Sequence, residues 1–281
     1  MQIIRQKKAL TETVAVFRGE GHRIALVPTM GALHAGHMAL IEEAKLRADR
    51  VVASIFVNPR QFGPGEDLDA YPRREAKDAD MLRAAGCALL WAPSADEMYP
   101  AGFATNIAVA GVSDDLDGAA RNGHFDGVAT VVAKLFSQVR PDVALFGEKD
   151  YQQLAVIRRM TEDLDLGLEI VGIPTQRDVD GLALSSRNAY LADEDRLAAR
   201  ALPRALGEAA AAITAGGHVA DILAKARAAL EKAGFDPVDY IELRDAATLA
   251  PMTALDRPAR LLAAARIGGA RLIDNLAIAP L

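Results

Sequence analysis

Five short runs, apolar almost throughout, constrain this chain more than any other feature: residues 24–27, 51–57, 88–91, 143–146 and 168–173. A strand that faces water on one side alternates apolar and polar residues, whereas a strand apolar at nearly every position is covered on both faces. Helical patterns separate the runs, at residues 11–20, about 37–49, 72–85, 127–139 and 152–164. That alternation specifies a parallel sheet with helices on both sides, a Rossmann-like, doubly wound α/β fold. Residues 105–109 offer one more short strand. After Gly181 the texture changes. Ala-rich helical patterns at about 193–215 and 218–233 lead into short strands at 240–243, 260–265 and 272–274. The reading is two units: residues 1–180, a Rossmann-like domain, and residues 181–281, a smaller α+β lid domain.

Ligands of open α/β sheets bind at loops that follow the strands, so five such loops are where chemistry is sought. The first, Met30-Gly31-Ala32-Leu33-His34-Ala35-Gly36-His37, runs from a strand into a helix. A helix start offers unpaired N–H groups and a partial positive charge, which suits phosphate. His34 and His37 flank Gly36, where the missing Cβ lets another group come close. The second loop holds Asn58 and Gln61, neutral hydrogen-bonding groups. The third, Arg121-Asn122-Gly123-His124-Phe125, precedes a helix. The fourth is Gly147-Glu148-Lys149-Asp150-Tyr151-Gln152-Gln153, where Lys149 and Gln153 are four residues apart and face one side. The fifth, Leu184-Ser185-Ser186-Arg187-Asn188, brings two hydroxyls and a guanidinium to the boundary between the units.

The strand–turn–His-x-Gly-His–helix unit resembles the signature with which a nucleotidyltransferase and class I synthetase superfamily grips ATP phosphates. The full set P-T-M-G-A-L-H-x-G-H, F-V-N-P-x-Q-F, E-D-L-x-x-Y-P-R, G-E-K-D-Y-Q-Q and D-G-L-A-L-S-S-R-N, from about residue 20 onward, is similar to the pantoate–β-alanine ligase family. Ser185-Ser186-Arg187 then matches the superfamily's mobile Lys-Met-Ser-Lys-Ser-type element. The resemblance implies condensation of pantoate with β-alanine through a pantoyl adenylate, with release of AMP and pyrophosphate. It implies ATP contacts from residues 30–37, Gly147, Glu148, Lys149, Asp150, Gln176, Leu184, Ser185, Ser186 and Arg187. His34, His37, Lys149 and Arg187 would carry the chemistry. Pantoate falls to Asn58, Gln61 and Gln153, with Tyr71 nearby, and β-alanine to Gln61. Mg²⁺ would be bridged mainly by the phosphates, near Asp67 or Asp150. The family is typically a homodimer. Asn122 and Gln176 depart from its usual proline and small apolar residue.

Other classes fit less well. The net charge of −6 and pI near 5.5 run against nucleic acid as a partner, since dedicated binders carry a basic excess. No apolar run reaches the length of a membrane span, and the first residues lack a signal-peptide pattern. The single cysteine, Cys87, reads as a buried filler and fits a reducing, cytoplasmic setting. The acidic turn at Asp114, Asp115 and Asp117 lacks calcium-loop spacing. A nucleotidyltransferase that stops after AMP or CMP transfer would not need the two glutamines. A sensor without activity would not need Lys149, the histidines and Arg187 together.

Overall fold

The computed structural model describes residues 1–280. Its strands are β1 Gln2–Ile4, β2 Ile24–Thr29, β3 Arg50–Ile55, β4 Leu89–Trp91, β5 Val143–Gly147, β6 Glu169–Ile173, β7 Val238–Asp245, β8 Ala259–Ile267 and β9 Ala270–Ile278. Its helices are α1 Lys7–Gly19, α2 Ala35–Arg47, α3 Glu75–Ala84, α4 Ala95–Met98, α5 Asp117–Ala120, α6 His124–Val139, α7 Tyr151–Asp163, α8 Asp193–Ala198, α9 Ala201–Thr214 and α10 Val219–Lys232. The first six strands form one sheet in the order β1-β4-β3-β2-β5-β6, all parallel. Strand direction of travel reverses between β2 and β5, so the switch-point crevice lies beyond their C-terminal ends.

The five apolar runs are β2 to β6. Alternate residues of each strand enter opposite layers. Ile24, Leu26, Val52, Leu89, Trp91 and Phe146 pack with α1, α6 and α7. Ala25, Val27, Val51, Ala53, Leu90 and Leu145 pack with α2 and α3. Each fully buried aliphatic side chain contributes about 1.5–3 kcal/mol, so this two-sided burial fixes the register of the central strands. Cys87 is buried in the second layer, and burial pushes its thiol up to about 12.

The structure departs from the sequence reading in several places, among them a first helix that begins at Lys7 rather than 11 and the short helices α4 and α5. Residues 2–4 form an edge strand, because β4 offers a free backbone edge to pair with. Residues 105–109 form no strand: the Ile107 N–H donates to Thr130 Oγ1 of α6 (2.9 Å) rather than to a neighbouring strand. The helix expected from Pro72 begins only at Glu75. The helix expected over 193–215 is two, α8 and α9.

Strands β7, β8 and β9 form an antiparallel sheet. One face carries Leu261, Ala263, Ala265 and Leu272 against α9 and α10. The other, with Tyr240, Leu262 and Ala264, packs on Leu116 and Tyr151 of the first unit. Among the described residues no helix is long and apolar enough to cross a membrane.

Candidate active site

The β2–α2 junction is a constrained turn. Gly31 (φ +85°) and Ala32 (φ +50°) both lie in the left-handed region, which costs a non-glycine residue about 1–2 kcal/mol. The cost is offset by Asp78 of α3, which is almost fully buried. Its carboxylate accepts the N–H of Ala32 (2.8 Å) and of Leu33 (2.9 Å), both charge-assisted bonds. Thr29 Oγ1 completes the turn, accepting the Gly31 N–H (3.1 Å) and donating to the Ser54 carbonyl (2.7 Å).

His34 is the N-cap of α2. Its Nδ1 accepts the Gly36 N–H (3.1 Å), while His37 Nδ1 accepts the His34 N–H (3.3 Å). This is a capping box built from two imidazoles. A nitrogen that accepts a hydrogen bond carries no proton, so each neutral ring keeps its proton on Nε2. Neither Nε2 has a partner among the described residues. Burial lowers the His34 pKa to about 4, with Lys149 nearby adding to the shift. Burial lowers His37 to about 3, reinforced by His34, whose ring centroid is 4.2 Å away, and by Lys149. The pair is therefore two uncharged N–H donors, not the positively charged groups that a phosphate grip first suggests. The group that comes close at Gly36 is the His34 ring itself: a Cβ there would lie 2.9 Å from Cε1.

The loop after β3 places Gln61 in a 3-10 turn, Pro59–Gln61. Asn58 Nδ2 donates to Gln61 Oε1 (3.0 Å) and to the Gly127 carbonyl (3.1 Å). Asn58 Oδ1 accepts from Tyr99 OH (2.8 Å) and the Arg60 N–H (3.3 Å). The Asn58 amide is thus spent on the protein. It orients Gln61, leaving Gln61 Nε2 at the cleft with the Met30 thioether (3.1 Å) as its one acceptor among the described residues. The 3-10 turn lies against α6 at Gly127, where a Cβ would fall 2.7 Å from Gln61 Cα. The Gln61 carbonyl accepts from His124 Nδ1 (2.9 Å). His124, expected only as a turn residue, supports the loop from α6.

After β5, the adjacent glutamines divide. Gln152 is buried; it accepts the Asp117 N–H (3.0 Å) and donates to the carbonyls of Val112 (3.0 Å) and Asp115 (2.7 Å). Gln153 has no hydrogen bond to the protein among the described residues, and lines the cleft with Lys149. The Lys149 ammonium is 3.8 Å from Asp150 and mostly shielded from water. Glu148 turns away: its carboxylate accepts from Arg260 Nη2 of β8 (2.8 Å).

The 185–187 segment closes the far side. Ser185 Oγ caps its turn by accepting the Arg187 N–H (3.3 Å), and Ser186 hydrogen-bonds Tyr71 OH (3.1 Å). Arg187 grips Asp67 with two bonds (3.0 and 2.9 Å). Burial works against the Arg187 charge, and Asp67 more than offsets it, so its pKa lies above the ordinary value. Burial likewise opposes the Asp67 carboxylate, yet Arg187 holds it below the usual range. The Gln176 carbonyl accepts the Leu184 N–H (2.9 Å), which joins these two residues at the cleft wall.

These side chains enclose a cleft of about 210 Å³ at the switch point, which shares Lys149, Gln153 and Arg187 as lining residues with a cavity of about 420 Å³ under the C-terminal sheet. Of residues 30–37, Met30, His34, Gly36 and His37 line the cleft; Gly31, Ala32, Leu33 and Ala35 do not. Leu33 belongs to the core. Asp78, Tyr99 and Asn275 escaped the sequence reading; Tyr99 and Asn275 support the cleft residues Asn58 and Lys149, and Asp78 holds the turn that leads into His34.

A parallel sheet that brings a helix start, two imidazole N–H donors and a shielded lysine to its switch point defines a nucleotide-transferring α/β enzyme. Residues 2–277 match the model of the pantoate-beta-alanine ligase family. Pantothenate synthetases of Rhizorhabdus wittichii and Novosphingobium aromaticivorans are 67% and 61% identical, over 100% of this chain and 99% and 100% of theirs. The structure of the Thermus thermophilus pantothenate synthetase superposes with a TM-score of 0.94 at 47% identity, with complete coverage of both chains. A Francisella tularensis pantoate–β-alanine ligase, complexed with beta-gamma ATP and β-alanine, gives 0.82 at 33% identity over 98% of this chain and 97% of that one. The chain belongs to the pantoate–β-alanine ligase family.

Proposed function

We infer that this chain joins pantoate to β-alanine at the expense of ATP, and that the cleft at the β2–β5 switch point is where it does so. A pantoate carboxylate oxygen attacks the α-phosphorus of ATP and pyrophosphate leaves, giving pantoyl adenylate. The β-alanine amine attacks the acyl carbon, loses a proton, and AMP departs. The observation that carries the reading is the pairing, in one cleft, of a phosphate-directed set with two uncharged amides. His34 and His37 Nε2–H, Lys149, Ser185, Ser186 and Arg187 face the charge that builds on the phosphates. Gln61 and Gln153 orient the pantoate carboxylate. An arginine there would bind it more tightly but would also stabilise the charge that must attack. Val131 and Val132 give the branched carbon skeleton of pantoate an apolar wall. Asn58 acts through Gln61, and Gln61 also borders the path of β-alanine.

Residues 1–180 would supply nucleotide and pantoate contacts and residues 181–281 close over them. Mg²⁺ fits as a phosphate-borne ion, which neutralises charge on the polyphosphate when bound. No cluster of three or more ligating residues exists among the described residues. Asp67 is committed to Arg187, so Asp150, about half exposed and next to Lys149, is the carboxylate able to meet it. A cytoplasmic homodimer completes the reading and rests on the family resemblance.

Isotope exchange between ATP and pyrophosphate tests this, with pantoate present and β-alanine withheld. Exchange that requires pantoate is expected. Exchange indifferent to pantoate would refute the ligase chemistry, and tight ATP binding with no exchange would indicate a sensor.

A further inference from the structure

The turn that carries Lys149 is not held by its own domain alone. Asn275, in β9 of the C-terminal sheet, is almost fully buried. Its Nδ2 donates to two successive carbonyls, Glu148 O (2.8 Å) and Lys149 O (3.0 Å). Its Oδ1 accepts from Arg260 Nη1 (2.9 Å). A guanidinium only donates and a carbonyl only accepts, so the amide orientation is unique. Arg260 closes the ring. Its Nη2 donates to the Glu148 carboxylate (2.8 Å), and its guanidinium carbon sits 4.0 Å from the centre of the Tyr151 ring. Every polar atom of the Asn275 side chain is therefore used, and two of its three partners are the successive carbonyls of Glu148 and Lys149.

The neighbouring residue supports the other wall. Successive strand residues point to opposite faces, and Asp274 turns away from Asn275 to take the Arg177 guanidinium with two bonds (2.7 and 2.8 Å). Arg177 follows Gln176 and also donates to the Gly181 carbonyl (3.0 Å). One dipeptide of the C-terminal sheet thus braces both loops that border the nucleotide end of the cleft.

We propose that Asn275, kept in orientation by Arg260, is a positioning residue for Lys149, so that the C-terminal sheet sets the phosphate-facing ammonium rather than only covering it. This rests on the phosphate role of Lys149 proposed above. The lysine stem has four rotatable bonds, and the backbone of a short 3-10 turn, Glu148–Asp150, is its only fixed end. A misplacement near 1 Å at a reacting centre costs about 10²-fold in rate.

The test is pantoate-dependent ATP–pyrophosphate exchange by Asn275→Ala, Lys149→Ala and the double variant, each checked for folding by circular dichroism. Asn275→Ala is expected to lower kcat about 10- to 100-fold in the parent and by less than about threefold in the Lys149→Ala background, because non-additivity marks residues that act through one another. The same factor in both backgrounds, or an Asn275→Ala rate within about twofold of the parent, overturns the proposal. A Lys149→Ala enzyme as fast as the parent overturns the role of Lys149 instead. Should Asn275→Ala fail to fold, Arg260→Gln takes its place. It leaves Asn275 but removes the bridge to Glu148, and the same non-additive pattern at a smaller factor is expected. Additive losses there count against the proposal equally.

Discussion

If His34 and His37 act as neutral Nε2–H donors, acidification should not speed the adenylation step through them. With a pKa of about 3, roughly one His37 ring in 10⁴ is protonated at pH 7, and about one in 10² at pH 5. A step that needed the imidazolium would therefore gain about 100-fold over that interval; a step that uses the neutral donor would gain nothing. His37→Asn separates the two functions of the ring. The asparagine Oδ1 occupies the position of Nδ1 and still accepts the His34 N–H, while the outward donor is lost. Losing one preorganised donor to a developing oxyanion costs about 2.7–4 kcal/mol, or about 10²–10³ in kcat. The assay is kcat/KM for ATP in pantoate-dependent exchange from pH 5 to 8, for parent and variant. kcat/KM reports the free enzyme's ionisations, and the ratio of the two enzymes removes the titration of ATP itself. A ratio near 10²–10³, flat with pH, is expected. A ratio that climbs about tenfold for each unit of acidification would refute the neutral-donor assignment.

Lys149→Ala should lower exchange by about 10²–10³ with an unchanged circular dichroism spectrum; a loss under about tenfold would remove it as a main charge stabiliser. Tyr99→Phe removes the hydroxyl that fixes Asn58, a bond worth about 1 kcal/mol, so the KM for pantoate should rise about fivefold with the KM for ATP unmoved. Gly36→Ala should displace the His34 ring, costing about 1–3 kcal/mol of stability in urea denaturation together with adenylation activity. Stability itself should fall on acidification. His37 and His124 have folded-state values of about 3 and about 4, below the unfolded value near 6.5. The unfolded chain then binds more protons as pH drops below 6.5, and each group removes about 2 kcal/mol between pH 7 and 5. His124→Gln should abolish one such share, and an unfolding free energy independent of pH in both proteins would show that the rings are not held neutral.

The central sheet was legible because β2 to β6 owe their form to their own composition: runs apolar on both faces have no other stable place. What stayed hidden depends on partners. Gln2–Ile4 is short and partly exposed; it is a strand only because β4 presents an edge. Residues 105–109 have strand-like composition, yet Thr130 takes the Ile107 N–H. The cleft loops were legible for the same reason as the sheet, since strand ends locate them. Their supports were not, because Asp78 acts across 46 residues on Ala32 and Asn275 across 126 on Lys149. Both nevertheless leave a trace. Asp78 shares the buried side of α3 with Ala79 and Leu82, and Asp274-Asn275 interrupts the apolar stretch from Leu272 to Ile278 in β9. A polar residue placed where the periodicity calls for an apolar one has a partner to find.

The charge inventory of the cleft bears on how such a site favours reaction over binding. Lys149 and Arg187, the cations that line the switch-point cleft, each have an anion: Lys149 lies 3.8 Å from Asp150, and Arg187 is held by Asp67. The histidines are uncharged, and Gln61 and Gln153, the groups proposed to meet pantoate, are amides. A site of this kind offers little net charge to the substrates as they arrive. Its fixed dipoles gain most where charge appears during the step itself, on the α-phosphate and the departing pyrophosphate. Only interactions stronger in the transition state than in the ground state accelerate chemistry. In the proposed role the two imidazoles meet that condition, because the helix cap pins each on one side and orients its donor in the absence of ATP. A solvent-exposed lysine pair at the same place would bind ATP more strongly and would spend that energy before the bond to phosphorus begins to form.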